Sequence, residues 1–297
     1  MSATEEVGAR PGADPKPGDD QIDVHGLTHP GKVRKVNQDH FLLCSLRKQM
    51  DVHQTSLPDV SRLVRTERLA FLAMVADGVG SGSKGGEAAR LAVEAVTDYV
   101  AGSMQCYYTA DSTDDASFAH ALEDAALQSH MAITTRAVED RALLGMATTL
   151  TLWIGVWPKA YLLQVGDSRF YVLRDGTLTQ VSRDQTMAQE LVDQGVMTRT
   201  DAFSTRWANV LSSSLGGKQT APVVTAMDQG WKNVGLLCSD GLTKHVSDER
   251  IAERLRTMTS ARQACEALLQ DALDDGGSDN ITIVVGRVVP PHKEMTG

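Results

Sequence analysis

Four aspartates sit at the ends of apolar runs. FLAMVAD-G ends on Asp77, YLLQVGD-S on Asp167 and VGLLCSD-G on Asp240, while Asp279-Asn280 stands in reverse, opening ITIVV. Taken singly, each is turn chemistry, because Asp-Gly and Asp-Ser are favoured hairpin residues. Taken together, they lie against strongly apolar strand sequences. If those strands converge, several carboxylates share one low-dielectric mouth, where repulsion raises their pKa values or splays the strands apart. Divalent cations remove that conflict. The donors would be carboxylates, a backbone carbonyl and water, an all-oxygen set suited to Mg2+ or Mn2+ rather than zinc or copper.

Near the N-terminus, GKVRKVNQD puts Arg34 five residues before Asp39, which leads into the FLLC strand. A guanidinium close to a carboxylate and cation site suits a phosphate ester, since its planar fork pairs two phosphate oxygens. Read without the aspartates, Arg34 is a surface cation beside Lys32 and Lys35.

Other hydrolytic chemistries fail on spacing. No Cys is followed six positions later by Arg, and neither G-x-S-x-G nor H-E-x-x-H occurs. His25 and His29 have no nucleophile to pair with. Gly80 to Gly85 satisfies G-x-G-x-x-G between a strand and a helix, which raises nucleotide binding as an alternative. Asp77 would repel the pyrophosphate there, and the βαβ pattern of such folds is absent.

The elements that must position these residues read as strands near 22–28, 39–46 and 68–76 and helices near 85–104 and 116–138, the second capped from Ser112 to Asp115. A meander follows through TTLTLWIGVW, AYLLQVGD, FYVLRDG and TLTQV, with antiparallel neighbours. A polar stretch near 184–220 reads as helical and then irregular. After it come strands near 222–228 and 234–239, helices near 247–258 and 260–274, and a last strand at 281–289. Residues 47–67 read as a hairpin excursion. Two antiparallel sheets with helix pairs outside would bury these faces, an α+β arrangement.

The chain has 297 residues, is 42% hydrophobic and 23% charged, and carries a net charge of -9. That is globular composition without the basic footprint that draws a protein to nucleic acid. Residues 1–20 read as a flexible N-terminal tail, 21–290 as one catalytic domain and 291–297 as a C-terminal tail. No apolar stretch is long enough to span a membrane, and the first twenty residues contain no secretory signal. The four cysteines, Cys44, Cys106, Cys238 and Cys265, are expected to be reduced core thiols, and the setting cytoplasmic.

These motifs occur in an order that resembles the metal-dependent serine/threonine protein phosphatases of type 2C, the PPM family. The series is GKVRKVNQD (31–39), VADGVG (75–80), GGEAA (85–89), ATTL (147–150), VGDSR (165–169), SRD (182–184), LGG (215–217), CSDGL (238–242) and SDNIT (278–282). Single pieces are weak; the ordered series is specific. It implies a four-layer αββα sandwich with a metal site in the cleft between the sheet edges. Asp77 is similar to the carboxylate bridging two metals, the Gly78 carbonyl to a ligand of the second, and Asp240 and Asp279 to ligands of the first. Asp167 and Asp240 resemble the holders of a third, looser metal in bacterial members. Arg34 resembles the substrate-phosphate residue and Asp39 the one orienting a metal-bound water, with Thr148, Gly166 and Asn280 as supports.

The implied reaction is hydrolysis of phosphoserine and phosphothreonine esters on proteins, opposing a serine/threonine kinase. A water bridging two Mn2+ or Mg2+ ions attacks phosphorus in line, without a phosphoenzyme. Gln38 stands where many members have Glu, so the second metal is expected to rely more on water. Val79 replaces the proposed general-acid histidine of animal members, so water is expected to protonate the leaving alkoxide. Residues 81–84 also depart from the usual glycine-histidine stretch. Residues 184–210 resemble the family's flap beside the cleft. A catalytically silent phosphoprotein-binding adaptor of the same fold is the competing reading.

Overall fold

The computed structural model describes residues 15–59, 66–80, 84–103 and 115–290. Its strands are β1 (Ile22–His29), β2 (His40–Gln49), β3 (Thr66–Ala76), the two-residue β4 (Gly78–Val79) and β5 (Ala147–Thr148), β6 (Leu150–Val156), β7 (Lys159–Val165), β8 (Arg169–Arg174), β9 (Thr177–Gln180), β10 (Val223–Asp228), β11 (Val234–Cys238) and β12 (Ile281–Val288). The helices are α1 (Lys84–Gly102), α2 (Asp115–Glu139), α3 (Met187–Asp193), α4 (Arg199–Phe203), α5 (Asp240–Thr243), α6 (Asp248–Arg256) and α7 (Ala261–Asp274).

The strands form two five-stranded sheets, in the orders β10-β7-β6-β3-β2 and β1-β12-β11-β8-β9, with every pairing antiparallel. Side chains alternate along each strand, so a strand buried on both faces must be apolar throughout. In β3, Leu72, Met74 and Ala76 join the core beneath α1 and α2, while Ala73 and Val75 face the opposite sheet. In β12, Ile281, Ile283 and Val285 pack with α6 and α7, while Val284 faces across. The expected four-layer αββα sandwich is therefore present. In α1, Ala88, Ala89, Ala92, Val96 and Val100 form the stripe that is wholly buried.

Antiparallel pairing decides where the aspartates go. β3 and β7 both flank β6, so they run the same way and end on the same edge. His40 of β2 pairs with Ala76 of β3, which puts Asp39 beside Asp77. In the other sheet Cys238 pairs with Ile283, so the end of β11 and the start of β12 share an edge.

Several local expectations shift. The β2–β3 hairpin runs on to Gln49 and resumes at Thr66, so the excursion is shorter than 47–67. Asp240-Gly241 does not form a tight turn but opens α5. The pairing of β4 with β5 was not legible. Ser112 to Asp114 and Cys106 lie outside the described residues, and Cys44 is only half-buried, whereas Cys238 and Cys265 are buried thiols. Within the segment assigned to the tail, Pro17 is buried, and Arg68 donates to its carbonyl at 2.5 Å and pairs with Asp19. Arg47 adds a 2.8 Å contact to Asp19. Residues 15–20 are therefore attached to the domain.

At the start of α1, the Gly85 backbone lies so close to Gly78 that a Cβ on either would overlap the other's carbonyl group. At Gly86 the nearest atom to such a Cβ is 3.6 Å away. Gly85→Ala should cost about 2 kcal/mol or more in denaturant unfolding, because rigid backbone must move. Gly86→Ala should be neutral or stabilising by up to about 1 kcal/mol, because alanine is the better helix former.

Candidate active site

The acids meet at one edge of the sandwich, and each is fixed through its backbone. The Asp77 N–H donates to Thr149 Oγ1 at 3.0 Å, and its carbonyl accepts from the Thr148 hydroxyl at 2.8 Å and the Thr149 N–H at 2.9 Å. The N–H of Gly166, just before Asp167, donates to Gln185 at 2.7 Å. Gly241 fits so closely under the Asn280 carbonyl that a side chain there would collide with it, which joins Asp240 to Asp279. Asn280 then ties in the Arg34 loop: its amide donates to the Pro30 and Val36 carbonyls at 3.1 and 3.0 Å, and its oxygen accepts from the Gln38 N–H at 2.9 Å.

Asp39 is 3% exposed. Its Oδ2 accepts from Thr282 at 2.7 Å, but its buried Oδ1 has no partner among the described residues. A buried carboxylate oxygen left unbonded is costly unless it is protonated or meets a cation or water. Burial pushes the Asp39 carboxyl up to about 6, against hydrogen bonds from Thr282 and Ser239 and with help from the Asp240 and Asp279 charges.

Asp77 is half-buried. Burial, followed by the charges of Asp39, Asp240, Asp167 and Asp279, pushes its carboxyl well above the usual carboxylate range. Burial and the charges of Asp240 and Asp184 raise Asp167 to about 8, with Lys244 and Arg169 opposing. The repulsion expected from convergence is therefore present, and it adds to burial in shifting all three carboxyls upward.

Asp279 is the exception. Burial raises its carboxyl, but hydrogen bonds from Arg34 and Lys244 outweigh that and hold it below the usual range. Arg34, whose side chain is 55% exposed at the mouth, reaches Asp279 through Nε at 2.8 Å and Nη2 at 3.0 Å. Lys244 reaches Asp240 at 2.6 Å and Asp279 at 2.7 Å. Among the described residues, no three His, Cys, Asp or Glu side chains already close around one point as a finished ligand set. The acids are gathered closely enough to feel one another's charge, while two basic side chains hold Asp240 and Asp279.

The structure thus brings Asp39, Asp77, Asp167, Asp240 and Asp279 together with Arg34, and sets the Gly78 backbone against α1 beside them. Three features escaped sequence reasoning. Lys244 follows Asp240 by one helical turn, a spacing that signals an ion pair. The neighbouring His245 places Nδ1 3.0 Å from Asp275 and Nε2 2.9 Å from Ser278, pinning the loop that precedes Asp279. Arg169 pairs with the buried Asp184 at 2.6 Å, anchoring the start of the 184–210 segment behind Asp167. That segment carries α3, α4 and the exposed Trp207. Residues 81–83 of the G-x-G-x-x-G match lie outside the described residues.

An inter-sheet cavity of about 150 Å3 lies between Trp153, Phe71, Val172 and Met227. None of the five gathered acids lines it. Its walls are mostly apolar, with charged side chains such as Arg68, Arg174 and Asp228 at its rim, and the clustered acids lie at the other edge.

The family profile described as protein phosphatase 2C matches residues 52–275. The serine/threonine protein phosphatase PstP of Mycobacterium tuberculosis is 35% identical over 220 residues, covering 74% of this chain and 41% of PstP. The chain therefore spans less than half the length of that relative. The crystal structure of the M. tuberculosis phosphatase PstP/Ppp superposes with a TM-score of 0.72 at 29% identity, covering 91% of this chain and 99% of that one. The PstP catalytic domain in complex with two manganese ions gives 0.69, also at 29% identity, covering 91% and 99%.

The raised acids fix a pH dependence for the cation-free protein. A carboxyl whose folded pKa lies above its unfolded value of about 4 contributes stability when protonated, and that contribution is lost as pH rises through the folded pKa. In EDTA, the melting temperature should fall from about pH 4 to about pH 8, with Asp39 contributing up to about pH 6 and Asp167 up to about pH 8. Asp167→Asn should flatten the fall. A melting temperature that rises with pH over this window would contradict the assignment.

Proposed function

The chain belongs to the protein phosphatase 2C family, and we propose that it is a metal-dependent phosphatase acting on phosphoserine and phosphothreonine side chains of other proteins. The observation that carries this reading is the Oδ1 of buried Asp39, without a partner among the described residues, beside a set of acids whose burial and mutual repulsion raise Asp77. Oxygen donors in excess of local positive charge are what hard divalent cations need, so the residues fit Mn2+ or Mg2+.

Asp77, the Gly78 carbonyl, Asp240 and Asp279 would hold two such cations, and Asp167 with Asp240 a third, looser one. When bound, they supply the positive charge that makes a water acidic and stabilises charge on phosphoryl oxygens. Arg34 exchanges Asp279 for the substrate, and its fork pairs two phosphoryl oxygens at the cleft mouth. Asp39, fixed by Thr282, orients the attacking water through its free oxygen. Val79 is 40% exposed and carries no proton, so the leaving serine or threonine oxygen takes its proton from solvent. Gln38 is neutral, which leaves the second cation more dependent on water.

The partners of this reading are phosphorylated proteins and a cognate serine/threonine kinase whose products the enzyme removes, in the cytoplasm. Among the described residues, no helix is long and apolar enough to cross a membrane. The 184–210 segment, with its exposed Trp207, forms the flap that biases substrate choice.

A phosphothreonine peptide should be hydrolysed with Mn2+ and not in EDTA. Asp240→Asn should lower kcat/KM at least about a hundredfold with Mn2+ supplied, while the melting temperature of the cation-free protein stays near or above that of the parent. Asp77→Asn should do the same. Retained turnover in either variant would refute the assigned roles.

A further inference from the structure

Lys244 has no part in the chemistry described so far, yet it is the most closely engaged cation in the cleft. We propose that its ammonium is a tethered counter-cation: it holds Asp240 and Asp279 together in the cation-free protein and must be displaced before a divalent cation can bind there. Lys244 thereby sets the affinity of that position. The proposal rests on the reading of Asp240 and Asp279 as cation ligands.

The geometry is specific. Nζ lies 2.6 Å from Asp240 Oδ2 and 2.7 Å from Asp279 Oδ2, bridging acids contributed by separate elements. Asp240 opens α5 and Lys244 closes it, its N–H donating to the Asp240 carbonyl at 2.9 Å. An acid four residues before a lysine is the favourable helical arrangement. The adjacent His245, held between Asp275 and Ser278, clamps this end of α5 to the loop that delivers Asp279. The lysine backbone and both of its acceptors therefore belong to one rigid unit.

Asp279 shows what displacement requires. Its Oδ1 accepts from Arg34 Nε at 2.8 Å and from the Asn280 N–H at 3.0 Å, and its Oδ2 from Arg34 Nη2 at 3.0 Å and from Lys244. Both oxygens are fully engaged, so one cannot join a cation without losing a basic partner. Arg34 is mostly exposed and leaves for substrate phosphate. Lys244, with 31% of its side chain exposed, is the partner built into the cleft. Ordinary surface pairs contribute little; this one bridges two carboxylates that would otherwise repel each other across a partly buried site. Arg34 and Lys244 form ion pairs with only two of the five gathered acids, so oxygen donors remain for divalent cations, in competition with one of the cleft's own side chains.

The test is Mn2+ binding by titration calorimetry, alongside melting temperatures in EDTA, for the parent, Lys244→Met, Lys244→Gln and Lys244→Arg. Removing the ammonium while keeping a stem should tighten Mn2+ binding about tenfold, the effect of one charge-assisted hydrogen-bond partner. It should also lower the EDTA melting temperature. Lys244→Arg, which keeps the charge, should stay near the parent in both. Unchanged or weaker Mn2+ binding in Lys244→Met and Lys244→Gln would overturn the proposal while leaving the cation reading intact. If the parent binds no Mn2+, or if Asp240→Asn binds it as well as the parent does, the reading of the cleft itself fails.

Discussion

Carboxylates that face one another across a partly buried cleft repel, and that repulsion is the constraint around which this protein is organised. Burial raises Asp39 and Asp167, and the charges of four neighbours add to burial at Asp77. A fold that tolerates this must hold each acid by something other than the acid itself. Here backbone amides and hydroxyls do so: Thr148 and Thr149 at Asp77, Thr282 at Asp39, and Asn280 between Asp279 and the Arg34 loop. The rest of the sandwich supplies rigidity behind those ties, since both faces of β3 and β12 are filled.

Positive charge enters the cleft in graded ways. Arg34 is exposed at the mouth and, among the described residues, pairs with Asp279 alone. Lys244 is tethered through α5 and bridges two acids. On the proposed reading, divalent cations from solution would offset what remains. A phosphate ester brings its own negative charge, and on the proposed reading Arg34 would leave Asp279 to pair with it at the mouth.

Much of this was legible in the sequence, for a physical reason. Strands buried on both faces read as unbroken apolar runs, so an aspartate at the end of FLAMVA or YLLQVG stands out, and β-meander chemistry implied antiparallel neighbours. Antiparallel register then forces alternate strand ends onto one edge, which is why the four acids converge. What escaped depends on distance in sequence or on single contacts. The β4–β5 ladder is two residues long and has no periodicity to detect. Arg169 and Asp184 are fifteen positions apart and meet only because β8 and β9 fold back. Lys244 carried a local signal, the four-residue spacing from Asp240, but only if Asp240-Gly241 is read as a helix start instead of a turn. Residues 15–20 look like solvated tail by composition, and their attachment depends on Arg68, which belongs to β3.

If the acids are held together by retained protons until cations arrive, cation binding must release protons. Calorimetric titration of Mn2+ into the metal-free protein at about pH 7, in buffers of different ionisation enthalpy, counts them. The account predicts proton release, with about one proton coming from Asp167, whose carboxyl lies near 8, and that proton missing in Asp167→Asn. Mn2+ binding with no dependence on buffer would mean that the carboxylates were already ionised and apart, and would contradict the claim that their shared burial defines the site.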